Sequence, residues 1–131
     1  METAETSIVI SKTDYEMIMH NIRSGLGKLY FHRRDAEALE AELRKAVVAE
    51  ADDMPADVVR LNALVTIRGE NDEKAMQLRL VAPEKTDISQ RQVSVLSPIG
   101  AALIGRGKGQ TVGWKVPAGF RKFMIVDVVN G

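Results

Sequence analysis

Three observations predict an α+β fold, with a helical hairpin ahead of a small sheet that carries one short helix. Tyr15, Ile18, Met19, Ile22 and Leu26 recur at helical spacing, and so do Ala36, Leu39, Leu43, Ala46 and Val47. Beyond residue 63 the pattern changes to alternation, as in Met76, Leu78 and Leu80, then Val112, Trp114 and Val116. Between those runs, Ser97 to Gly105 reads as a cap, a short apolar helix and a glycine stop. A mainly antiparallel sheet with one helix packed on it is an α+β arrangement.

Ser7 to Ile10 is a short extended lead-in. Ser11-Lys12-Thr13-Asp14 is a capping-box variant, with Asp where Glu is usual at the third helical position. The first apolar stripe follows and is broken by Gly25 and Gly27. Lys28 to Arg34 forms the connection, and a second helix is predicted from Asp35. It is expected to end at Asp52-Asp53-Met54-Pro55, because proline disfavours helix in the residue before it. Glu40 and Arg44 make a favourable i,i+4 pair on its outer side. Helices of about four turns, roughly 20–25 Å long, gain most of their stability from packing. The domain boundary is placed here, giving a hairpin over 1–54 and a sheet domain over 55–131.

Leu64 to Arg68 is the first strand of the sheet domain, followed by a Gly/Asx turn at residues 69–72. Lys74 to Val81 is the next strand, residues 83–87 a loop, and Ile88 to Leu96 a returning strand. Ser97 caps the short helix, Pro98 takes its first position, where a missing N–H is harmless, and Gly105 ends it. Arg106 to Gln110 is expected to be a loop, with a flexible turn at Gly107-Lys108-Gly109. Lys122 to Val129 is apolar on both sides, which predicts a central strand.

The 131 residues suit one medium domain or two small ones, with 45% hydrophobic and 27% charged residues. Without cysteine there is no disulfide, thiol nucleophile or cysteine metal site. No stretch approaches the ~20 apolar residues of a membrane helix. The acidic start Met1-Glu2-Thr3-Ala4-Glu5 lacks the character of a signal peptide, so a cytoplasmic location is expected. Residues 1–54 hold 7 Lys/Arg against 11 Asp/Glu, and the remainder 11 against 7, so the halves carry −4 and +4. That asymmetry is too mild to argue for nucleic-acid binding.

Gly100 and Gly105 have the spacing of a P-loop, but Arg106-Gly107 follows them instead of Lys and Ser/Thr. His20 and His32 have no ligand partner at helical spacing. Neither a metal nor a cofactor is expected.

The run Ser97-Pro98-Ile99-Gly100-Ala101-Ala102-Leu103-Ile104-Gly105 resembles an element in the C-terminal domain of the Gre transcript-cleavage factors. It resembles still more the regulator of nucleoside diphosphate kinase (Rnk) family, shorter relatives of the Gre factors. Met54 to Asn62, Val81 to Lys85 and Val93 to Leu96 fall in that family's order, so the likeness runs from residue 54 to the end. It implies an FKBP-like domain behind a short antiparallel coiled coil. It also implies binding to core RNA polymerase near the mouth of the secondary channel, with Ser97, Pro98, Ile99 and Gly100 near the contact, and no sequence-specific nucleic acid. Where Gre factors often carry a basic residue, this chain has Ala101.

In Gre factors the coiled-coil tip carries acidic residues that help hold a metal ion. Here the tip is basic and aromatic, with Lys28, Tyr30, Phe31, Arg33 and Arg34, and such a tip offers no carboxylate ligands. Packing between the helices is at least as good a reading of Tyr30 and Phe31 as partner contact. A prolyl isomerase would need several pocket aromatics, and residues 55–131 offer only Trp114, Phe120 and Phe123. The expectation is therefore a non-enzymatic regulator that competes with Gre factors without stimulating cleavage. The alternatives are a cleavage factor, a prolyl isomerase, or an interaction domain with another partner.

Overall fold

The computed structural model describes residues 8–24, 33–70, 74–116 and 119–130. The chain runs through β1 (Val9–Ser11), α1 (Lys12–Ser24), α2 (Arg33–Arg44), β2 (Val47–Ala49), β3 (Leu64–Gly69), β4 (Ala75–Val81), β5 (Gln92–Ser94), α3 (Pro98–Leu103), β6 (Thr111–Val116) and β7 (Gly119–Val129). Helices and a mixed sheet share the chain, as an α+β fold requires.

Ser11 caps α1 as expected, its Oγ accepting from the Asp14 backbone N–H at 3.1 Å. Asp14 reaches further than a capping box, because its Oδ2 accepts from the Leu61 backbone N–H at 3.1 Å. A carboxylate placed by a local rule thus ties α1 to the segment ahead of β3. Ile18 and Met19 of α1 and Leu39 and Leu43 of α2 are buried, so the stripes face the core. The Glu40–Arg44 pair forms at 2.7 Å. Residues 25–32, with the predicted glycine breaks and most of the connection, lie outside the described residues.

The second helix differs from its expected span. It begins at Arg33 and stops at Arg44, not near Asp52. Val47 and Val48 instead form β2, which pairs in parallel with β1 in the register Val9↔Val47 and Ile10↔Val48. Two consecutive β-branched residues favour a strand. A partner is at hand, since the Val47 N–H donates to the Ile8 carbonyl at 2.9 Å. Val47 is 56% exposed, so it is no part of the core stripe. Ala51–Asp53 is a 3-10 turn.

The five-stranded sheet has the order β5-β4-β3-β7-β6, antiparallel except for the parallel pair β4 and β5. β7 is an interior strand, as its sequence predicts, but it is not buried on both faces. The register between β3 and β7 shifts, with Thr66 opposite Asp127 and Ile67 opposite Ile125, leaving Val126 as the extra residue of a bulge. The bulge changes the phase of the alternation, so Phe123, Ile125 and Val128 are all buried while Met124 and Val129 stay exposed.

Only Gln92–Ser94 of the predicted strand over Ile88 to Leu96 is extended. Ile88–Gln90 is a 3-10 turn capped by Asp87, and Arg91 closes it in the left-handed region at φ 57°. The loop after α3 is anchored rather than flexible. Lys108 N–H donates to the Asp57 carbonyl at 2.9 Å, Gly109 N–H to Ile125 at 2.8 Å and Val59 N–H to Arg106 at 2.8 Å.

The buried side chains form one continuous cluster. It joins Ile8, Ile10, Ile18, Met19, Leu39 and Leu43 to Val65, Ile67, Leu80, Leu103 and Ile125. Helices and strands therefore share a core across residue 54.

Candidate functional site

The residues expected at the contact, Ser97 to Gly100, lie in the turn that launches α3. Ser94 Oγ accepts from the Leu96 N–H at 3.0 Å and pins the end of β5. Ser97 Oγ donates to the Ser94 carbonyl at 2.7 Å and accepts from the Gly100 N–H at 3.1 Å. One hydroxyl thus closes the strand end and caps the helix. Pro98 occupies the first turn, and Leu103 and Ile104 bury the far side. Gly105 follows at φ 78°. A Cβ there would lie 2.7 Å from Ile8 Cβ, so glycine is required for packing as well as for conformation.

The four residues expected at the contact have different parts in this geometry. Gly100 is buried, and a Cβ on it would collide with the Ser94 carbonyl, so it serves close packing. Ser97 builds the cap. Pro98 is exposed at the front of the turn, and Ile99, Ala101 and Ala102 pack against the core while staying partly accessible. The turn exposes a small apolar surface of Pro98 and the outer parts of Ile99, Ala101 and Ala102.

Of the expected hairpin tip, Lys28, Tyr30 and Phe31 lie outside the described residues, while Arg33 and Arg34 open α2. The helix pair is trimmed with charge. Arg23 stands 3.9 Å from Glu40, and the Arg44 hydrogen bond holds the Glu40 carboxyl below its ordinary range. Arg106 stands 3.8 Å from Glu42, which brings α2 beside the segment that follows α3.

Among the described residues no group of three or more His, Asp or Glu side chains is placed to hold a metal ion. No helix there is long and apolar enough to cross a membrane. An open groove of about 490 Å³ runs along α1, lined by Tyr15, Glu16, Met19, His20, Arg23 and Ser24, and shares no residue with the α3 turn. Phe123 lies in the core, as its alternating position suggests. Two features escape sequence reasoning, the Asp14–Leu61 tie and the exposed Ile88. The only trace of the second is a lone isoleucine in the polar stretch from Glu84 to Gln92.

The family model described as transcription elongation factor GreA/GreB, C-term, matches residues 54–130. The chain belongs to the GreA/GreB family. The regulator of nucleoside diphosphate kinase of Escherichia coli K12 is 40% identical over 84 residues, 64% of this chain and 62% of the regulator. A transcription elongation factor GreA of Azorhizobium caulinodans is 33% identical over 90 residues, 69% of this chain and 57% of that factor. The chain thus spans less than two thirds of the length of these curated relatives. Among solved structures, a prokaryotic transcription elongation factor GreA/GreB from Nitrosomonas europaea superimposes with a TM-score of 0.77 at 33% identity, covering 93% of this chain and 98% of the other. Thermus aquaticus Gfh1 shares the fold, with a TM-score of 0.52 at 20% identity over 96% of this chain and 99% of that one. The α3 turn and the five-stranded sheet lie wholly inside the GreA/GreB match, whereas α1, α2 and the tip precede it.

Proposed function

We propose that this chain is a non-catalytic regulator that binds core RNA polymerase near the secondary channel and excludes Gre factors without stimulating transcript cleavage. The observation that carries the reading is the 40% identity to a regulator of nucleoside diphosphate kinase, within a chain of the GreA/GreB family. In this reading residues 55–131 are an FKBP-like docking domain and residues 1–54 a short antiparallel coiled coil. Docking runs through the α3 turn, with Ser97 and Gly100 shaping the surface that Pro98 and Ile99 present. The protein works in the cytoplasm, with no cofactor.

The absence of cleavage is argued from charge. Residues 27–34 read Gly-Lys-Leu-Tyr-Phe-His-Arg-Arg, without a carboxylate to ligate a divalent cation. Exclusion of Gre factors then follows by mass action at a shared site.

Gel filtration of a micromolar mixture with purified core polymerase tests the reading, with co-elution expected. Stalled elongation complexes should keep their RNA length when the protein is added, and rising concentrations should suppress Gre-stimulated cleavage. Separate peaks at low salt, or shortened RNA above background, would refute it.

A further inference from the structure

Asn130 fastens the end of β7 to the segment ahead of β3. Its Nδ2 donates to the Ala56 carbonyl at 3.0 Å and to the Val58 carbonyl at 2.9 Å. Its Oδ1 accepts from the Arg60 N–H at 3.2 Å. One primary amide thus spends both hydrogens and its oxygen on the backbone of residues 56–60. That segment in turn seats the chain leaving α3. Gly105 N–H donates to the Val59 carbonyl at 3.0 Å, Val59 N–H to the Arg106 carbonyl at 2.8 Å and Lys108 N–H to the Asp57 carbonyl at 2.9 Å. Val58 and Gly107 form a bridge between the two segments. The sequence adds a chemical fact. Of the four asparagines, Asn130 alone precedes a glycine, Gly131, whereas Asn21, Asn62 and Asn71 precede Ile22, Ala63 and Asp72. The backbone nitrogen after an asparagine can attack the side-chain amide, and glycine has no side chain to crowd that nitrogen.

We propose that Asn130 is a site of spontaneous deamidation, and that its conversion to a carboxylate releases residues 56–60 from the end of β7. The Gly131 nitrogen bonds to Asn130 Cγ, the bond from Cγ to Nδ2 breaks, and Nδ2 leaves as ammonia with the Gly131 amide proton. Water then opens the five-membered imide at either carbonyl, giving aspartate or isoaspartate. The sum is an amide and water converted to a carboxylic acid and ammonia, with no redox partner. Asn130 is partly exposed, so water has access. Loss of Nδ2 requires its two hydrogen bonds to be given up, so the step proceeds from the locally opened chain. An ionised carboxylate has no hydrogen to donate. It sets negative oxygens against the Ala56 and Val58 carbonyls where N–H groups stood, so the contact changes from attraction to repulsion. Isoaspartate also lengthens the main chain by one carbon and displaces the side group. The inference goes beyond the polymerase reading and is independent of it, since the chemistry needs only this chain and water.

The test ages the folded full chain in mildly alkaline buffer and follows each asparagine by peptide mapping and mass spectrometry. Asn130 should convert well ahead of Asn21, Asn62 and Asn71, and Gly131→Val should suppress that conversion. Asn130→Asp should lower the melting temperature by about 5 °C or more, the loss of two hydrogen bonds in a chain of this size. Asn130→Ala, which removes the amide without adding charge, should lower it less. Amide hydrogen exchange of Asn130→Asp and of the aged chain should quicken together in residues 56–60 and 105–108. Conversion at Asn130 no faster than at the other three, or unaffected by Gly131→Val, would overturn the modification site. An Asn130→Asp chain that melts and exchanges like the parent, or loses no more than Asn130→Ala, would overturn the release.

Discussion

Ser97 does two jobs with one hydroxyl, and its removal should show it. Ser97→Ala should cost about 1 kcal/mol in a denaturant melt, the usual loss of an N-cap. Gly100→Ala should cost more, about 1–3 kcal/mol, because the added methyl meets the backbone at Ser94 instead of a flexible side chain. An unchanged midpoint for Gly100→Ala would mean that α3 does not press on the Ser94 carbonyl. Ser97, Pro98 and Gly105 are readable from sequence because caps and left-handed stops obey rules spanning a few residues. Asp14 is not readable in the same way, since its partner Leu61 is 47 positions away. Asp14→Ala would leave that buried N–H without an acceptor, and about 1–3 kcal/mol should be lost in the same melts.

The elements were legible in kind and less so in extent. α1, β3, β4, α3 and β6 follow from periodicity and capping. The end of α2 does not, because Ala46 and Val47 continue a helical stripe on paper while β1 offers Val47 a strand partner. The bulge at Val126 hides in β7 for a related reason, since an inserted residue makes a one-sided strand look apolar on both sides. Substitution separates the two readings of residue 47. Leu43→Ala should cost about 2–5 kcal/mol as a core truncation. Val47→Ser should stay within about 0.5 kcal/mol, as a surface change does. A large loss at Val47 would return it to the helix stripe. The helix pair also carries a pH signature. The Glu40 carboxyl is depressed by Arg44, so its contribution is present above the unfolded pKa and is lost as pH falls through the folded one. Melts across the acid range should show the gap between the parent and Glu40→Gln closing in that window.

Across the molecule, the seam between helices and sheet decides how the chain behaves as a unit. The sequence suggests a division at residue 54, yet ties cross it at several places. Asp14 accepts from Leu61, Val9 N–H donates to the Gly105 carbonyl at 3.1 Å, and Arg106 lies 3.8 Å from Glu42. Ile8 packs where a Cβ on Gly105 would stand. With the apolar cluster continuous through these contacts, neither part can lose its structure without exposing the other's core. Unfolding should therefore be one cooperative event. Helix loss followed by far-ultraviolet circular dichroism and sheet loss followed by fluorescence of Trp114, the one tryptophan of the chain, should give superimposable heat transitions. Gly105→Ala strains the backbone at φ 78° and crowds Ile8, so it should lower both transitions together. Two separated transitions, or a Gly105→Ala shift confined to one probe, would make residues 1–54 and 55–131 independent bodies. A single shared shift would mean that α1, α2 and the five-stranded sheet lose their structure as one unit, as their continuous core requires.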